Sequence, residues 1–189
     1  DPFETILKHR RSHALFAQCW CKKSVSDAMW KVYSPSNGSV RLRTTRSKLA
    51  AAAQAHDDAN SVSFWIRDVD YMTPSQVRSE LIRLSDRLRE DFTITEAAAA
   101  LFIKRDAFDF ENEVRVVVHD SDATEPIPAT KSFRLEVDPY QLIDSIMFDP
   151  RVDTSLYQAS RRQLQATLGF KGSIGKSALY RFQKQLVVE

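Results

Sequence analysis

Polar and apolar positions along the chain switch between a period near two, the mark of strands, and a period near 3.6, the mark of helices. Residues Glu4 to His13 predict a short helix, and Ala14 to Cys21 then read as a buried strand. Ser24 or Ser26 can cap a helix from Asp27 to Tyr33, because a serine oxygen accepts from unpaired N–H groups of a first turn. Ser34-Pro35-Ser36-Asn37-Gly38 is a turn signal, with Asn-Gly tolerating positive φ. Ser39 to Arg43 alternate, sending Val40 and Leu42 one way and Arg41 and Arg43 the other. Thr44 or Thr45 caps the next helix, which runs to about His56.

Val62 to Val69 predict a strand with Phe64 and Ile66 on one face and Trp65 on the other. Pro74 suits the first turn of a helix reaching Glu90, with Val77, Leu81, Leu84 and Leu88 along its apolar stripe. Thr95 and Glu96 open a helical stretch to Leu101. Val114 to Val118 are strongly β-branched and predict a strand. Ser132 to Val137 alternate, Asp138-Pro139 opens a helical turn, and Ser145 to Phe148 form a short strand stopped by Asp149-Pro150. Thr154 or Ser155 caps a last helix ending near Gly169. No repeat or composition-shifted linker interrupts the 189 residues. The expected architecture is a single α+β domain, 1–189, with a mixed, mostly antiparallel sheet and packed helices. Because the chain opens at Asp1 without Met, an upstream N-terminal segment is expected to be missing.

Composition narrows the function classes. Hydrophobic residues make up 43% and charged residues 28%, with only four glycines, so long glycine-rich ligand loops are not expected. Lys and Arg number 27 against 25 Asp and Glu, a formal charge of +2, which argues against a DNA coat or a polybasic anchor but allows a local basic patch. No apolar run approaches the roughly 18 residues of a membrane span. Cys19 and Cys21 share one strand face and read as two buried thiols, neither a disulfide nor a zinc site. That usage suits a reducing compartment, so a cytoplasmic location is expected.

Several motifs fail on spacing. Gly169 to Ser177 resembles a phosphate-binding loop, but the first glycine that such a loop needs falls on Phe170. A helix C-cap at Gly169 followed by a turn explains the stretch instead. His9 and His13 share a helical face without the glutamate of a zinc-binding helix. Asn37-Gly38-Ser39 is a sequon by pattern and a turn by context. A Glu-x-Lys nuclease strand is not met, because Glu113-Val114-Arg115 offers an arginine that barely titrates.

The stretch from Lys104 to Arg115 concentrates charge at the approach to an apolar strand. Glu111, Glu113 and Arg115 alternate and share a face if the strand begins at Glu111. In one reading, Glu113 and Arg115 form a polar edge or cross-strand ion pairs while Phe108 and Phe110 plug the core. In a second, Glu111-Asn112-Glu113 is the acidic end of an ADP-ribosyltransferase site. There Glu113 would stabilise an oxocarbenium-like ribose and Glu111 orient the acceptor, with NAD as cofactor and no metal. In a third, Lys104, Arg105 and Arg115 bind the phosphate of a nucleotide or nucleic acid without chemistry. Trp30 and Tyr33, three apart on a helix, either anchor that helix in the core or stack a base or nicotinamide ring.

The chain resembles bacterial domain-of-unknown-function family 2971 over nearly all of its length. The resemblance is carried by Asp1-Pro2-Phe3-Glu4, Cys19-Trp20, Met29-Trp30-Lys31-Val32-Tyr33 and Gly38-Ser39-Val40. It continues through Lys104 to Phe108, Glu111-Asn112-Glu113-Val114-Arg115, Ile146-Met147-Phe148-Asp149-Pro150 and Ser177-Ala178-Leu179. That family's name carries no activity. The Glu-x-Glu strand adds the expectation of a nucleotide- or NAD-using enzyme of ADP-ribosyltransferase type, a toxin or phage-defence protein. Such transferases also grip the cofactor with an Arg or His on a first strand, and the segment that would supply it precedes Asp1. The alternative expectation is a non-catalytic nucleotide- or nucleic-acid-binding module, and a third is a protein-interaction domain with no small ligand.

Overall fold

A computed structural model describes residues 14–23, 26–57, 62–121 and 132–181. The helix expected over Glu4 to His13, with His9 and His13, lies outside them, as does most of the loop after Asp120. In chain order the elements are β1 (Leu15–Cys21), α1 (Asp27–Tyr33), β2 (Val40–Arg43), α2 (Arg46–Asp57), β3 (Val62–Asp68) and β4 (Asp70–Met72). Next come α3 (Pro74–Glu90), α4 (Ile94–Ala99), β5 (Ile103–Arg105), β6 (Glu113–Asp120), α5 (Pro139–Leu142), β7 (Ser145–Phe148), α6 (Thr154–Arg162) and β8 (Ser173–Lys176). Helices and mostly antiparallel strands thus form an α+β protein. It groups into two compact units, each assembled from two separated stretches: Asp1–Ser24 with Leu49–Glu136, and Val25–Lys48 with Val137–Glu189.

In the first unit, β6 is the central strand of an antiparallel sheet ordered β1-β6-β3. Its β-branched run Val116-Val117-Val118 is buried, as a central strand covered on both faces requires. The alanines of α4 are small enough to pack closely on two sides. Ala97 meets Leu84 and Leu88 of α3, with Ala100 of the following 3-10 turn in the same cluster, while Ala98 packs with Phe102 and Val117. Full burial of Phe102 and Val117 contributes about 1.5–3 kcal/mol each. Thr73 and Gln76 close a capping box at the start of α3, with Pro74 at the first helical position.

Several boundaries differ from expectation. Thr93, not Thr95, caps α4 by accepting from Glu96 N. Cys19 is exposed and Cys21 half-buried, so they are not two buried thiols: β1 is an edge strand and that part of its face is incompletely covered. Residues 132–137 form no strand. The alternation there instead lets Phe133 pack on Phe16, with ring centroids 5.5 Å apart. The pair β4 and β5, parallel and three residues each, is too short to leave a periodic signal.

In the second unit, β7 pairs antiparallel with β2 and parallel with β8. Ser26 caps α1 and Asp153 caps α6, the latter displacing the expected Thr154 or Ser155 because its carboxylate accepts from two backbone N–H groups. Asn37 takes φ 60° in the turn before β2. Gly169 takes φ +64° beyond the last helical turns, the left-handed cap expected of it. The Gly175-Lys176-Ser177 stretch closes strand β8, and Lys176 Nζ donates to Val152 O at 2.6 Å.

Candidate functional site

The charged stretch becomes a site because three short elements of the first unit meet at the start of β6. Parallel pairing of β4 with β5 sets Tyr71 beside Lys104. A 3-10 helix, Asp106–Glu111, leads into Asn112, whose φ of 45° turns the chain into β6. Asparagine tolerates that left-handed conformation better than most residues. The strand therefore begins at Glu113, and Glu111 does not reach the shared face by strand alternation. It arrives through the turn: Lys104 Nζ donates to both Glu111 and Glu113, the latter at 2.5 Å.

Both carboxylate oxygens of Glu113 are engaged. Oε1 accepts from Lys104 and Oε2 from Arg115 Nε at 2.7 Å, while Glu113 N donates to the Tyr71 hydroxyl at 3.0 Å. The glutamates are 4% and 5% exposed for Glu111 and Glu113, so two cations and two carboxylates form a buried, electrically balanced group. Burial alone would raise the Glu113 carboxyl. Hydrogen bonds from Lys104 and Arg115 overrule it and hold the pKa at about 2. Arg115 also donates to Leu101 O. The Cys19 thiol sits against Glu113 and Arg115 and is pushed up, first by desolvation and then by the Glu113 charge, so it stays protonated.

Lys104, Glu111, Glu113 and Arg115 are thus brought together as the sequence suggested. Arg105 is next to them on β5, exposed, with its guanidinium 5.3 Å from the Phe108 ring centroid. It has no carboxylate partner among the described residues. Phe108 and Phe110 are half-buried, and Phe102 takes the core position that they were expected to fill. Trp30 and Tyr33 belong to the second unit and do not share an environment: Trp30 is 7% exposed, Tyr33 56%. The helix ends at Tyr33, so its side chain projects beyond the buried stripe.

Two residues here were not singled out in the sequence. Tyr71 gave no signal, because its role depends on a strand pair only three residues long. Arg67 had one: it falls on the Trp65 face of β3, where an apolar residue would continue the core. It lies opposite Arg115 in the β3–β6 register, and its guanidinium stands 5.0 Å from the Phe102 ring centroid. Among the described residues, no group of three or more His, Cys, Asp or Glu side chains is placed to hold a metal ion, and no helix is long and apolar enough to cross a membrane.

No family model matches the chain, and no curated protein or solved structure matches it either. The resemblance to the family of unknown function therefore rests on the short blocks quoted above.

Proposed function

We propose that this chain binds a phosphate-bearing nucleotide without chemistry, through guanidinium groups at the charged end of the β6 sheet. The observation that supports the reading is that both Glu113 oxygens are engaged by cations and the side chain is buried. With both oxygens held by Lys104 and Arg115, the acid is an internal counter-ion that fixes two cations rather than an open catalytic oxygen. Arg67 and Arg105 then remain without a carboxylate among the described residues, each presented on an aromatic ring. Arginine is the side chain best shaped to fork onto phosphate oxygens. A mononucleotide fits better than a nucleic-acid strand. Strand binding rests on many phosphate contacts, whereas the formal charge is only +2.

Calorimetric titration with ATP, NAD and a single-stranded oligonucleotide tests this. Saturable ATP or NAD binding with little oligonucleotide binding is expected. Oligonucleotide binding alone, steeply weakened by salt, would replace the nucleotide with nucleic acid, and no binding at all would remove the reading.

One observation favours a second reading, an NAD-using ADP-ribosyltransferase. Glu111 and Glu113 converge on one ammonium, as an acidic pair at a transfer site would. For transfer, Glu113 would exchange one of its cations for a ribose hydroxyl while nicotinamide leaves and an acceptor nucleophile takes the ADP-ribose. Incubating wild type and Glu113→Gln with labelled NAD and cell extract decides it: label transferred by wild type and lost in the variant supports transfer, and equal label from both, or none from either, removes it.

A further inference from the structure

We infer that the phosphate of the bound nucleotide is seated between Arg67 and Arg115, on the face of the β3–β6 pair. This rests on the nucleotide-binding reading and says where, and by which residues, the phosphate is held.

The two arginines are direct partners across antiparallel strands. Their side chains also reach consecutive residues of one 3-10 turn: Arg115 donates to Leu101 O, and Arg67 stacks over Phe102. Like charges directly opposite each other destabilise a strand pair. Arg115 is compensated by Glu113. Arg67 has no carboxylate among the described residues, because its neighbour Asp68 points to the other sheet face and pairs with Lys22 at 3.1 Å. The juxtaposition thus lacks one counter-charge.

The donors suit a phosphate. A guanidinium held against a ring face still has N–H donors to offer a second partner. Arg115 spends Nε on Glu113 and one terminal nitrogen on Leu101, and a guanidinium carries five N–H donors in all. Phosphate oxygens can accept from both forks at once. On the far side of Arg115, Cys19 completes the row across the sheet with a neutral thiol that does not repel an anion.

The test uses the whole chain. Melting of wild type is followed with inorganic phosphate and with ATP, and ATP affinity is measured for wild type, Arg67→Gln and Arg67→Lys. Arg67 is on the exposed end of β3, so both variants are expected to fold, which their melting without ligand verifies. Phosphate and ATP should raise the wild-type midpoint, because an anion bound only by the folded chain stabilises it. Arg67→Gln should lose the phosphate response and bind ATP at least tenfold more weakly, and Arg67→Lys should fall between, keeping the charge without the fork. ATP bound equally by wild type and Arg67→Gln overturns this placement and leaves nucleotide binding standing. A wild type that responds to neither phosphate nor ATP overturns both, as does binding of a single-stranded oligonucleotide alone.

Discussion

Lys104 Nζ lies 2.5 Å from Glu113 Oε1 and also grips Glu111, joining residues that the chain separates by a 3-10 helix and a left-handed asparagine. Removing that ammonium takes a cation away from two buried carboxylates. Breaking a buried ion group by deleting one partner costs about 3–5 kcal/mol. Lys104→Met is therefore expected to lose that much stability in urea denaturation. Adding Glu111→Gln to it should recover a large part of the loss, because Glu113 and Arg115 then remain as a balanced pair.

Acid should weaken the fold in a defined window. Glu113 is held at about 2, and Asp149 is also held at about 2 because hydrogen bonds with Arg151 and Ser34 overrule its burial. A carboxyl with a depressed folded pKa stabilises fully above its unfolded value, and that contribution is lost as pH falls through the folded one. Stability should thus be flat above about pH 5 and decline from about pH 4.5 towards pH 2. Urea midpoints measured across this range should fall less steeply for Glu113→Gln and for Asp149→Asn, each starting from a lower stability at neutral pH.

Arg151 ties the second unit together by donating to Asp149, to Trp30 O at 2.9 Å and to Ser34 O at 3.0 Å, so it closes the last carbonyls of α1. Arg151→Ala leaves a fully buried Asp149 and two carbonyls without it. A clearly lower denaturant midpoint than wild type is expected. Arg151→Lys should recover only part, since an ammonium cannot reproduce the fork.

Two glycines of the rejected phosphate-loop pattern should respond differently. A Cβ on Gly172 would stand 2.5 Å from Asp144 O, a backbone atom that accepts from Ser173 N where β8 joins β7. Gly172→Ala is expected to cost about 1–3 kcal/mol through overpacking. Gly169 has open space around it and only its left-handed φ to defend, so Gly169→Ala should cost about 1 kcal/mol. Thermal melting of both variants checks the order.

Ser85 is 2% exposed on α3, and its hydroxyl has no hydrogen-bond partner among the described residues. Deleting an unsatisfied buried hydroxyl in favour of the best helix former is stabilising. Ser85→Ala should gain about 1 kcal/mol in urea denaturation.

Sequence patterns located the long elements well. The apolar stripe and Pro74 marked α3 at both ends, and the valine run marked the central strand, because burial on two faces dictates those residue types. The caps of α4 and α6 were placed one or two residues late, since threonine, serine and aspartate compete for the same position and only geometry shows which oxygen accepts. The β4–β5 pair is too short for a period to register, and β8 lies in the glycine-bearing Gly169 to Ser177 stretch, which reads as a turn. The grouping into two units was hidden because each draws on two separated stretches, so no linker marks it. In the site, the charged cluster was legible as composition from Lys104 to Arg115. That Glu113 is enclosed by cations, and that Arg67 faces Arg115, depends on strand register and on the turn at Asn112, which no local pattern encodes.

The most direct test of the account is ATP affinity in folded wild type and folded Glu113→Gln, measured by calorimetry at neutral pH. If Glu113 is an internal counter-ion and arginines hold the ligand, both proteins bind ATP, because the amide oxygen of the variant can still accept from Arg115 and Arg67 is untouched. Failure of both to bind, or loss of binding in a variant that still melts cooperatively, contradicts it.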